Sequence, residues 1–132
     1  METSCGVVLV NLGTVLLLQY PQGHWDLPKG HVEADESPIT TMRRELFEET
    51  GIQNIDVIDG FAETTMYSYT YKGKEKTKQV QWFLAETEEI DVHLSHEHRD
   101  YIWLDWESAF QLITHKETRS VVESAQAFLE SI

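Results

Sequence analysis

Glu45, Glu48 and Glu49 stand at i, i+3 and i+4 of a segment with helical periodicity, so their carboxylates share one face. Three like charges this close repel, and they fall in the C-terminal half of the helix, where the macrodipole disfavours negative charge. Arg44 reaches Glu48 one turn on and offsets part of the repulsion. Such clustering suits hard divalent cations, which take oxygen ligands and leave positions open for phosphate oxygens. A solvated acidic face is the plainer reading of three glutamates alone. The flanks favour a site: Gly30 permits a tight loop, Glu36 stands just before the helix, and Gly51 closes it.

The helix itself is well marked. Ser37 is a good N-cap, Pro38 suits the first helical position and Gly51 the C′ position, giving a helix over Ser37–Thr50. Ile39, Met42 and Leu46 recur at helical spacing and form its expected core face. Upstream, Val7–Val10 and Val15–Tyr20 flank Asn11–Thr14 as a hairpin. Pro21–Gly30 reads as loop around a short strand near Trp25–Leu27. Downstream the period changes. Ile55–Phe61, Thr64–Tyr71 and Lys78–Ala85 read as strands, the last two joined by a turn at Tyr71–Lys74. Glu86–Asp100 is an acidic loop and Tyr101–Leu104 a short strand. Asp105 caps a helix, and a final helix from about Thr118 puts Val121, Val122, Ala125, Phe128 and Leu129 on one face. This order calls for an α/β (α+β) sandwich with a mixed sheet, one domain over 1–132.

The composition sets further bounds. Against 23 Asp+Glu stand 10 Lys+Arg, a net charge of −13, which argues against a DNA-binding or membrane-surface protein. An anionic substrate would therefore need cations to neutralise it. The one cysteine, Cys5, lies among apolar residues and cannot form an internal disulfide, so a stapled secreted domain is excluded. Asn11, Gly13 and Thr14 interrupt the apolar run Val7–Leu18, which is too short to span a bilayer. A cytoplasmic protein is expected, with no obligate protein partner implied.

Gly30, Glu36, Arg44, Glu45, Leu46, Glu48, Glu49, Gly51 and Ile52 match every fixed position of G-x5-E-x7-R-E-U-x-E-E-x-G-U, where U is a bulky aliphatic residue. In this the sequence resembles the Nudix hydrolase family. The resemblance implies a loop–helix–loop catalytic motif on an α/β/α sandwich, and hydrolysis of a nucleoside diphosphate linked to another moiety through Mg²⁺ or Mn²⁺. Carried over, Glu45, Glu48 and Glu49 resemble the metal ligands, joined by the Lys29 carbonyl. Glu36 would support the metal site, and Arg44 would orient the glutamates.

The likeness continues through Trp25–Glu33, Gly60-Phe61, Tyr67, Trp82–Glu86, Leu94–His98 and Tyr101–Leu104. There the chain is similar to the branch of the family that cleaves diadenosine tetraphosphate asymmetrically, to ATP and AMP. That resemblance implies adenine contacts from Tyr67 and His24, polyphosphate contacts from Lys29, Lys76 and Lys78, and a further ligand or base in Glu97. Ala34-Asp35 departs from many relatives, at positions the signature leaves variable. Lys72, Lys74, Lys76 and Lys78 alternate along an extended segment, which puts four of the ten basic residues on one face. They read as a phosphate contact or as a charged edge that blocks sheet pairing. His96 and His98 flank Glu97, but no further ligand stands at zinc spacing.

The expected reaction is in-line attack of water on one phosphorus of a dinucleoside polyphosphate, with Glu45 or Glu97 taking the proton. A pyrophosphohydrolase of modified nucleoside triphosphates or RNA 5′ ends is the alternative. A nucleotide-binding module without catalysis is the rival from another class.

Overall fold

In the computed structural model, which describes residues 1–132, the elements run β1 (Glu2–Asn11), β2 (Thr14–Gln19), β3 (Trp25–Asp26), β4 (Lys29–His31), α1 (Pro38–Thr50) and β5 (Ile55–Val57). Then follow β6 (Glu63–Tyr71), β7 (Lys74–Thr87), β8 (Asp100–Asp105), α2 (Trp106–Leu112) and α3 (Lys116–Ser131). β1 is the hub. It runs parallel to β7 from Glu2 opposite Lys78 to Val10 opposite Glu86, and antiparallel to both β2 and β4. β6 and β5 pair with β7, and β8 and β3 with β2, all antiparallel. The sheet is mixed, as the order of elements required.

Side chains of β1 and β2 alternate between two cores. Cys5, Val7, Leu9, Leu16 and Leu18 face Met42 and Leu46 of α1. Val8, Val10, Val15 and Leu17 face Ala109 of α2 and Val121, Val122 and Ala125 of α3. Helices cover both faces, which is why these strands read as unbroken apolar runs rather than alternating ones. Met42 and Leu46 are almost wholly buried, each worth about 1.5–3 kcal/mol. That packing holds α1 together against the repulsion of its own glutamates. No helix is long and apolar enough to cross a membrane.

Three expectations need correction. Ile39 is 37% exposed, because the face of α1 that meets the sheet starts a turn later, at Met42. The strand expected over Ile55–Phe61 ends at Val57, since the chain turns at Asp59 and Gly60 before β6. Lys29–His31, expected as loop, is a strand on β1, with Cys5 opposite Gly30.

Candidate active site

The caps of α1 form as its residue types dictate. The Ser37 hydroxyl accepts from the Thr40 N–H (3.3 Å). Gly51, at φ 77°, donates its N–H to the Phe47 carbonyl (2.8 Å). Between these ends the three glutamates differ sharply in exposure. Side chains of Glu48, Glu45 and Glu49 are 55%, 18% and 8% exposed. Arg44 ties the first two together: its Nη1 donates to Glu45 Oε1 (2.8 Å) and Glu48 Oε2 (3.2 Å). Its other face meets Glu36, with Nε to Oε2 at 2.7 Å and Nη2 to Oε1 at 3.0 Å, while Nη2 also donates to the His31 carbonyl (2.9 Å).

Glu36 thus spends both oxygens on protein. Oε1 also accepts from the Thr41 hydroxyl (2.8 Å) and the Glu33 N–H (3.0 Å). These donors, Arg44 foremost, hold its carboxyl down to about 2 and keep it charged. Such a carboxylate anchors Arg44 through both oxygens, although Oε2 accepts only the Arg44 Nε–H and keeps a lone pair free.

Opposite the helix, β4 supplies the floor. At Gly30 a Cβ would overlap the Glu45 carboxyl group, so only glycine lets this side chain lie against the strand. Lys29 beside it is held by Asp26, Nζ to Oδ2 at 2.7 Å, with Asp26 1% exposed. The wall is the loop between β7 and β8. His93 and Ser95 donate their N–H groups to the carbonyls of Thr50 (2.8 Å) and Glu49 (3.2 Å). These carbonyls belong to the last turn of α1, which has no intrahelical partners for them. Capping them hangs the loop over the glutamates and brings Glu97 and His98 to their cleft. This cleft, about 510 Å³, is lined by Glu45, Glu48, Glu49, Glu97, Lys29 and Lys78 among others.

Its electrostatics call for positive charge. Burial, then the charges of Glu45 and Glu97, push the Glu49 carboxyl up to about 9. Oε1 of Glu49 is buried with no partner, and His98 Nε2, likewise unpartnered, is 3.8 Å from Oε2, too far for a hydrogen bond. Burial also raises Glu45, although Arg44 pulls it down. An orphaned buried carboxylate oxygen among other carboxylates fits a divalent cation with oxygen ligands. The carboxylates are not gathered into a ready cage: no three His, Cys, Asp or Glu side chains cluster at ligating distance. Arg44 holds Glu45 and Glu48 instead.

A second cavity, about 310 Å³, adjoins the first, and Lys29 lines both. Tyr67, Trp82 and Val80 of the β6–β7 pair form one side, His24 another, and His115 and Thr118 at the start of α3 a third. His24 stacks on Tyr20 with ring centroids 4.8 Å apart and planes 8° from parallel. Burial lowers the His24 pKa, favouring the neutral ring. The aromatic walls and a few polar groups suit a flat heterocycle.

Lys29, Glu45, Glu48, Glu49, Glu97 and Lys78 therefore share one cleft, and His24 and Tyr67 its neighbour. Lys76 joins neither. It lines a separate surface hollow with Tyr69 and Tyr71, because two residues of extended chain carry it outward from Lys78. Lys72 is not part of the alternating row either: it sits in the turn at φ 51°, with Nζ 5.4 Å from the Tyr71 ring centroid. Asp26, His98 and Trp82 lie in stretches the sequence singles out without a role in these cavities, and His115 is not singled out at all. Asp26 sits three residues before Lys29, a pairing open to view there; the others carry no local signal.

A family model described as NUDIX domain matches residues 2–125. An asymmetrical bis(5′-nucleosyl)-tetraphosphatase of Sus scrofa is 41% identical over 123 residues, covering 89% of this chain and 81% of that protein. The Mus musculus protein of the same name is 38% identical over 120 residues, covering 86% and 79%. Among solved structures, a binary complex of a C. elegans Ap4A hydrolase matches with TM-score 0.86 and 32% identity over 100% of both chains. With a domain model spanning almost the whole chain, and relatives near 40% identity matched over most of their length, the chain belongs to the Nudix family.

Proposed function

We propose that this protein hydrolyses dinucleoside polyphosphates, diadenosine tetraphosphate to ATP and AMP, with Mg²⁺ as cofactor and Mn²⁺ as a substitute. One observation carries the reading: a base-sized aromatic cavity adjoins a carboxylate cleft, with Lys29 common to both. The named activity of relatives near 40% identity supports the choice of substrate. Bound Mg²⁺ would neutralise phosphate charge and acidify water for attack on phosphorus.

Glu45, Glu48, Glu49 and the Lys29 carbonyl are the ligand set in this reading, with Glu97 across the cleft. Arg44 keeps Glu45 and Glu48 aimed together, and Glu36 keeps Arg44 in place. Glu36 thus acts first through Arg44, and its Oε2, which accepts one hydrogen bond only, supports the metal site through water. Arg44 pins Glu45, whereas Glu97 makes no side-chain hydrogen bond to protein, so Glu97 is the freer of the two to turn toward an attacking water. Tyr67 and His24 hold one adenine, and the Nζ groups of Lys29 and Lys78 face the polyphosphate. A cytoplasmic location suits a chain whose one thiol, Cys5, is buried and free.

The test is a competition panel in Mg²⁺ buffer: diadenosine tetraphosphate, an RNA with a 5′-triphosphate, and an oxidised nucleoside triphosphate. Diadenosine tetraphosphate should show the highest kcat/KM. A higher value for either rival would replace this substrate, and no turnover of any would leave a binding module.

A further inference from the structure

The β6–β7 hairpin extends beyond both cavities with a face that the cleft does not use. Cross-strand pairs sit on it in register: Tyr67 opposite Lys78, Tyr69 opposite Lys76, Tyr71 opposite Lys74. Directly opposed side chains project on the same side of a sheet, so this face alternates aromatic and cationic groups. Rungs are roughly 6.6–6.8 Å apart, two residues of strand. The first rung belongs to the proposed site, since Tyr67 lines the aromatic cavity and Lys78 the glutamate cleft. Tyr69, Tyr71 and Lys76 of the outer rungs line a hollow of about 870 Å³, together with Glu2 and Glu75. Its tyrosines stay open to solvent, Tyr69 by 37% and Tyr71 by 56%.

We propose that this face is the subsite for the second nucleoside of the substrate, with Tyr69 and Tyr71 as stacking platforms and Lys76 beside the distal phosphate. The inference rests on the substrate class proposed above. Protection of a sheet edge accounts for the lysines but not for exposed tyrosines on the same face. Stacked bases account for both, because a base platform and a cationic partner for phosphate are wanted together. The Tyr69 hydroxyl donates to Glu2 Oε2 (2.9 Å), which fixes the ring and occupies the neighbouring acid. The Tyr67 and Tyr69 ring centroids lie 6.3 Å apart with planes 44° from parallel, so the outer rings neighbour the inner site at a different tilt. Two rungs, roughly 13–14 Å of strand, separate Tyr67 from Tyr71, a span that two nucleosides joined by four phosphates can cover and one nucleoside cannot.

The test compares diadenosine tetraphosphate with adenosine 5′-tetraphosphate, which lacks the second nucleoside. The readout is the ratio of kcat/KM for the two substrates, which cancels any loss of folded enzyme. In the double variant Tyr69→Ala/Tyr71→Ala this ratio should fall roughly 5- to 150-fold, the range for one lost base stack. Tyr69→Phe, which keeps the ring and loses only the bond to Glu2, should hold the parent's ratio. A ratio unchanged in the double variant overturns the subsite while leaving the substrate assignment standing. If the parent cleaves neither compound, the assignment fails and the subsite falls with it.

Discussion

Replacing Gly30 with alanine puts a methyl group where the Glu45 carboxyl group lies. The backbone tolerates the change: Gly30 is a strand residue paired with Cys5, and its φ is not among the positive ones. Alanine there gains roughly 0.4–1 kcal/mol through a less flexible unfolded chain. Glu45 sits on the face of a helix whose other contacts survive, so its side chain can swing aside. The fold should therefore stay intact, with a thermal midpoint within a few degrees of the parent's. Function should not survive so well. Ordinary carbon contacts need roughly 4 Å, so the Glu45 carboxyl group must move by about 2 Å. A displacement of that size can cost on the order of 100-fold in rate, or about 2.7 kcal/mol. The assay is kcat/KM in saturating Mg²⁺ alongside a thermal melt. Parent-like turnover in Gly30→Ala would show that the position of Glu45 against β4 does not matter to catalysis. Loss of activity together with unfolding would show that Gly30 serves the fold.

Three other outcomes follow from the same geometry. Glu49→Gln should melt like the parent in chelator, because a carboxyl raised to about 9 is already neutral at pH 7, but should lose most of the parent's stabilisation by added Mg²⁺. Lys78→Ala should flatten the salt dependence of affinity for a non-hydrolysable tetraphosphate analogue, and Lys76→Ala should flatten it less, since only Lys78 lines the cleft; equal slopes would reverse that assignment. Glu36 has its carboxyl held down to about 2 against an ordinary 4.5, so its contribution to stability is present above pH 4.5 and lost as pH falls toward 2. The urea midpoint of Glu36→Gln should accordingly fall less than the parent's across that window, and an identical pH profile would remove the Arg44–Glu36 pair from the acid transition.

How far the sequence reaches depends on whether a feature is local. Helix α1 was legible to within a residue because Ser37, Pro38 and Gly51 act on their own immediate backbone. The glutamate face followed from spacing alone. Strand β4 was not legible, because Lys29-Gly30-His31 has no apolar alternation and is extended only by pairing with β1. Glu36 shows the same division. Its position before the helix was plain, but its commitment to Arg44, Thr41 and the Glu33 N–H emerges only when the preceding loop folds back. His115 enters the aromatic cavity from a segment 91 residues beyond His24, a meeting that only the packing of α3 produces. Lys76 shows what spacing leaves out: period two puts Lys74, Lys76 and Lys78 on one face but also carries each side chain along the strand, so Lys76 and Lys78 line different hollows.

The most direct measurement is single-turnover hydrolysis of diadenosine tetraphosphate in ¹⁸O-water with Mg²⁺, with products separated and weighed by mass spectrometry. The reading requires ATP and AMP in equal amounts, with ¹⁸O in one of the two and none in the other. Two equivalents of ADP, or no cleavage while diadenosine tetraphosphate still binds, would contradict it.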